Sequence, residues 1–182
     1  MFIFRRIIEN DVDLEFITGN KAFDEKNPEG KLKIYLDEDL KGGGEFCTYL
    51  LLEKIDSDKV LVLGLLRYKI SNKKEFFSEL MNYDIDLEIR NKLNKELDTF
   101  NFKFIYLSRI GVLNKYQDMN VGQIISNFFE FLIKKDRKNC FIYLKVVEKQ
   151  KDFIAPSYEF IAQGEDKKWG NYYMASKFLE FD

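Results

Sequence analysis

The stretch from Phe100 to Val112 most constrains the fold of this chain. Phe100, Phe102, Phe104 and Tyr106 alternate, so an extended chain carries aromatic rings along one face. From Phe104 onward the other face is apolar too, through Ile105 and Leu107. A strand that is apolar on both faces is covered on both, which places it inside a sheet and not at its edge. An equally strong signal follows. Val121, Ile124, Ile125, Phe128, Phe129 and Leu132 recur at helical spacing and form one apolar stripe. Lys134, Lys135 and Arg137 suit the C-terminal end of that helix, where the dipole favours cations. Buried strand, polar loop and amphipathic helix together make an α/β unit.

Other elements arrange themselves around this unit. Phe2 to Ile8 reads as a short strand. Asn10 and Asp11 suit the cap of a helix running into Leu14, Phe16 and Ile17, and a second short helix is expected near Ile34 to Leu40, stopped by Gly42, Gly43 and Gly44. Phe46–Ile55 and Val60–Tyr68 predict an antiparallel hairpin around the turn residues Asp56, Ser57, Asp58 and Lys59. Between Ser71 and Thr99, helical spacing of Phe76, Phe77, Leu80 and Met81, then of Ile89, Leu93 and Leu97, predicts two short helices broken near Asn82, Tyr83 and Asp84. Cys140–Val147 is an apolar strand. Ala155 to Gln163 reads as a short helix, with Pro156 in its first turn and Gly164 past its end. Tyr172 to Phe181 closes the chain as a strand. Residues 1–182 form a single domain on this reading, with no internal repeat and no linker.

Composition removes several classes of function. The 29 basic and 31 acidic residues leave a net charge of -2, with no general attraction to a phosphate backbone, which argues against a nucleic-acid partner. No apolar run has the length of a membrane span. Arg5 and Arg6 bring charge too early for a signal peptide, and Cys47 and Cys140 read as buried thiols of a reducing compartment, so a cytoplasmic location is expected. The chain has no histidine. That excludes a Ser-His-Asp triad, a Cys-His pair and a histidine metal site, and no metal is expected. Any general base is a carboxylate, a water, a tyrosine or a shifted lysine. Glu45, at the start of the hairpin, is one candidate.

The loop between the buried strand and the helix carries the chemistry. The first-turn amides of a helix have no partner within it, and with the dipole they favour a phosphate or pyrophosphate. Gly122 admits a ligand close to the backbone, and Asn120 is the best non-glycine choice for a left-handed position. Here the chain resembles the GNAT superfamily of N-acetyltransferases, whose phosphate loop reads Arg/Gln-x-x-Gly-x-Gly/Ala after a strand with an apolar-Val ending. The matching residues are Gln117, Asn120 and Gly122, preceded by Ile110, Gly111, Val112 and Tyr116, with Asn120 in place of the middle glycine. The resemblance implies an α/β fold: a mixed, mostly antiparallel twisted sheet of about six strands with helices on both faces. It implies acetyl-CoA as cosubstrate, held by Ile110, Gly111, Val112, Gln117, Asp118, Met119, Asn120, Val121, Gly122 and Gln123. Downstream, Ser157 to Gly164 is similar to the family's tyrosine helix, which implies Tyr158 near the CoA sulfur as general acid.

The expected activity is transfer of an acetyl group to a primary amine by direct attack, the acceptor being a small amine or a peptide or protein amine. Two alternatives stand beside it. One is a non-catalytic member that binds acyl-CoA or a partner protein, suggested by Asn120 and Asp118 in the loop. The other is a toxin-like acetyltransferase of charged tRNA, suggested by Leu107 to Val112 with Tyr116 and Gln117 and opposed by the net charge. The segment 71–99, where a hairpin is usual in the family, is expected to be a helical insertion that covers the acceptor site or makes a homodimer contact.

Overall fold

The computed structural model describes residues 2–7, 46–54, 60–99, 101–112, 116, 119–166 and 170–180. The helices expected within 10–40, the glycine run 42–44, the hairpin turn, Glu45, Gln117 and Asp118 lie outside the described residues. Seven strands are described: β1 (Phe2–Arg6), β2 (Phe46–Lys54), β3 (Val60–Ser71), β4 (Lys103–Val112), β5 (Cys140–Val147), β6 (Glu159–Asp166) and β7 (Gly170–Leu179). Four helices accompany them: α1 (Lys73–Leu80), α2 (Leu87–Thr99), α3 (Val121–Lys134) and α4 (Lys151–Ile154). The ladder order is β1-β2-β3-β4-β5-β7-β6, so the strand that is apolar on both faces is the middle one. The sheet is mixed: β4 and β5 run parallel, whereas β1–β2, β2–β3, β5–β7 and β6–β7 are antiparallel. The described chain falls into two compact units, 1–69 with 109–132, and 70–108 with 133–182.

In the first unit, β1, β2 and β3 form a meander with Ile3 opposite Leu52 and Leu50 opposite Leu65. Leu50, Leu52, Val62, Leu65 and Ile7 bury one face. Helix α3 packs against aromatic rings of the same strands: Phe128 stacks on Phe4 and meets Tyr49 edge-on, and Phe129 leans on Tyr68. These are the contacts that its apolar stripe demands. Burial is the main reason that the Tyr68 phenol is pushed far above its ordinary range. The buried Arg67 guanidinium lies 3.6 Å above the Phe46 ring, a cation–π contact that offsets part of the cost of removing the charge from water. Gly64 of β3 lies so close to β4 that a Cβ there would stand 2.5 Å from the Gly111 carbonyl oxygen.

In the second unit the two helices expected between Ser71 and Thr99 are present, and they are core elements. Phe76, Leu80, Leu93 and Leu97 are buried with Phe102, Phe104, Phe141, Tyr143 and Met174. Helix α1 begins at Asn72, whose side-chain oxygen accepts from the Glu75 amide at 2.9 Å. Asp86 caps α2 in the same way, accepting from the amides of Glu88 and Ile89. The turn between the helices is tied to β6 by reciprocal backbone bonds between Asp84 and Gln163. That bridge partly covers an edge strand, which would otherwise offer its backbone to other chains.

One element differs from expectation. Ala155 to Gln163 is not a helix. The helix there is the four-residue α4, and 159–166 is strand β6. A short apolar run such as Phe160, Ile161 and Ala162 does not reveal its own period, and pairing with β7 decides it, with a bulge between Phe160 and Ala162. Gly164 is therefore not a helix stop. A Cβ at this position would stand 2.4 Å from the Tyr172 ring, so the glycine makes room for that ring in β7. Cys47 is half-buried and not fully buried as expected. Cys140 is buried, and burial raises its thiol pKa.

Candidate functional site

Strand β4 ends at Ile110, Gly111 and Val112, all half-buried, and the chain passes through Tyr116 to α3. Of the expected phosphate loop, Met119 is exposed and Asn120 has φ 56°, the left-handed conformation expected of it. The Asn120 carbonyl accepts from the Ile124 amide at 3.1 Å, the first bond of the helix, so the amides of Val121, Gly122 and Gln123 belong to the unpaired first turn. The Val121 side chain is buried and anchors that turn. Gln123 bonds to Asn127 one turn along, so its side chain faces the helix surface. A loop turned by a left-handed residue into an anchored helix start of 14 residues is a suitable seat for an anion.

The parallel ladder between β4 and β5 covers four pairs, from Lys103 opposite Cys140 to Tyr106 opposite Tyr143, although β4 continues to Val112 and β5 to Val147. Tyr106 and Tyr143 thus form the last row, with ring centroids 5.2 Å apart. Tyr143 is almost fully buried and Tyr106 half-buried. The Tyr143 hydroxyl lies 2.7 Å from Ser71 Oγ, and Ser71 donates to Glu75 Oε2 at 3.1 Å. Tyr83 adds a third phenol, whose hydroxyl is buried without a hydrogen-bond partner among the described residues. Burial first, then the negative charge of Glu79 and the phenols of Tyr106 and Tyr172, drives its pKa far up, so it stays neutral. Tyr172 donates to the Asn82 carbonyl and carries the Lys145 ammonium 3.9 Å above its ring.

Tyr158 belongs to the same compact unit as these phenols. It precedes β6 outside any helix, its amide bonded to the Ile154 carbonyl. The next residue, Glu159, pairs with Ser176, Ser176 with Tyr143, and Tyr143 with Tyr106. Tyr158 is therefore about three strand spacings, roughly 14 Å, from β4, farther than its side chain extends. Tyr83 and Tyr143 lie in the buried core cluster of the second unit, with Tyr106 packed against it. Periodicity put Tyr106 on an aromatic face, but the pairing of Ser71 with Tyr143 spans 72 positions and leaves no local signal.

No family model and no curated protein matches this sequence. Solved structures do match over nearly the whole chain. Arabidopsis thaliana NAA60 in complex with acetyl-CoA superposes with a TM-score of 0.65 at 17% identity, covering 98% of this chain and 99% of that one. Arabidopsis thaliana Naa50 in complex with the bisubstrate analogue CoA-Ac-MVNAL gives 0.59 at 17% identity, covering 97% of each. A protein assigned to the GNAT acetyltransferase family from Desulfovibrio desulfuricans gives 0.62 at 13% identity, covering 99% of each. The chain has the GNAT acyltransferase fold.

Proposed function

We propose that this chain is an acetyl-CoA-dependent N-acetyltransferase acting on a primary amine. The observation that carries this is the β4–loop–α3 unit with Asn120 in the left-handed conformation, set in a fold like that of structures solved with acetyl-CoA. The first-turn amides of Val121, Gly122 and Gln123 would take the pyrophosphate, together with Gln117, Asp118 and Met119 of the same loop. Ile110, Gly111 and Val112 would pair with the amides of the pantetheine arm, as an added strand does. A neutral amine then attacks the thioester carbon. The C–N bond forms, the C–S bond breaks, its electron pair goes to sulfur, and the amine gives up a proton. The protein supplies placement, polarisation of the carbonyl and a path for that proton.

Acetyl-CoA at about 100 times its dissociation constant should stabilise the fold by about 2.7 kcal/mol, a rise of roughly 5–10 °C in melting temperature. Gly122→Glu, which adds bulk and negative charge at the helix start, should abolish that rise. An undiminished rise in the variant would put the site elsewhere. Thiol release from acetyl-CoA with Met-Val-Asn-Ala-Leu, the peptide portion of the Naa50 ligand, and with a panel of small amines tests the transfer itself. A thermal shift without thiol release from any of them would favour the non-catalytic acyl-CoA-binding alternative. Tyr158→Phe should leave turnover within about twofold, whereas losing a general acid typically costs about 10²–10⁴-fold. A drop of that size at unchanged melting temperature would show Tyr158 acting as the general acid that the family resemblance implies.

A further inference from the structure

We infer that the groove between helix α2 and strand β6 is a docking site for an extended peptide bearing lysine or arginine. Binding there goes beyond the acetyl transfer proposed above and does not depend on it. The groove has a volume of about 360 Å³ and lies wholly within the second unit. Its floor is apolar: Leu93 and Ile161 are buried, and Ile89 is half-buried against the same core. Its rim is charged. Glu88, Lys92 and Glu96 follow one another at four-residue intervals along α2, and Glu159 stands two residues before Ile161 on β6. The rim thus carries three carboxylates and one ammonium. Among the described residues, no hydrogen bond or ion pair engages any of these four side chains.

The backbone beside the groove selects the kind of cation. β6 ends the sheet, next to β7. Its outer edge already takes an antiparallel partner at one point, where Asp84 and Gln163 exchange both backbone bonds. Before that point, Glu159 and Phe160 pair with β7 on one side and, among the described residues, with no backbone on the other. An open edge binds a peptide by adding it as a strand: the main chain supplies affinity, and pockets for alternate side chains supply specificity. Every second side chain of such a strand turns toward α2. A lysine or arginine at that position lays its methylenes on Ile89, Leu93 and Ile161 and brings its charge to the rim carboxylates. A free alkylamine would meet the same carboxylates but leave the strand edge unused.

The probe is fluorescently labelled Val-Lys-Val-Lys-Val with blocked ends. Its binding to the full chain is read by anisotropy at low ionic strength, where exposed charges are least screened. One control peptide has glutamine in place of lysine. Another is N-methylated at two successive residues, so that whichever amide faces β6 is lost. The lysine peptide should bind about 3–10-fold more tightly than either control. Glu96→Gln combined with Glu159→Gln should weaken it by about the same factor, with the melting temperature near the parent value. Lys92→Gln, which removes the one like charge from the rim, should strengthen it about twofold. Equal affinity of the lysine and glutamine peptides, of the methylated and unmethylated peptides, or of the parent and the double variant would overturn the docking site. A solution dimer that dissociates in the double variant would overturn it too, because a second copy would then fill the groove.

Discussion

Phe76→Ala is expected to destabilise the protein by about 3–5 kcal/mol, the usual cost of removing a fully buried aromatic ring. Phe76 has no exposed surface, and its ring meets Phe104, Phe141 and Tyr143 at centroid distances of 4.8–6.2 Å. Those partners come from two strands that cannot close on the hole without breaking the ladder between them. The melting temperature should fall by roughly 10 °C, measured beside Phe77→Ala, whose half-buried ring should cost much less. Equal losses at the two positions would mean that α1 does not seat Phe76 in the core. For the same reason, replacing 71–99 by a tight turn would not give a protein that merely lacks a lid. It would strip the cover from Phe104, Phe141 and Met174.

Gly64→Ala is the second large effect. Its new Cβ would stand 2.5 Å from the Gly111 carbonyl oxygen and 2.7 Å from Ile125 Cδ1. The isoleucine can rotate, but the carbonyl belongs to the backbone of β4, so a strand must move. Overpacking of this kind costs about 1–3 kcal/mol, and Gly64→Val should cost more. The displaced residue, Gly111, lies at the end of β4 and is itself one of the residues proposed to pair with pantetheine. A drop in melting temperature should therefore come with a smaller stabilisation by acetyl-CoA. A Gly64→Ala protein that melts like the parent would show that β3 and β4 have room to separate. One that melts lower but keeps the full acetyl-CoA shift would show that the end of β4 does not hold the ligand.

What the sequence by itself determined were the features written in local periodicity. The alternation from Phe100 to Tyr106, with Ile105 and Leu107 behind it, places β4 at the centre of the sheet, and the stripe from Val121 to Leu132 makes α3. Two helices in 71–99 and the antiparallel pair β2–β3 follow in the same way. Asn120 is legible because few side chains tolerate a positive φ, and it has one. Tertiary structure alone decided the rest. Phe160 to Ala162 is too short to show a period, and the partner strand β7 made it β6 and carried Tyr158 away from β4. Ser71, Glu75 and Tyr143 meet only because α1 packs its Phe76 face against β4 and β5. A hydrogen-bond chain across 72 positions is set by packing and register, and a linear pattern of residue types does not encode either.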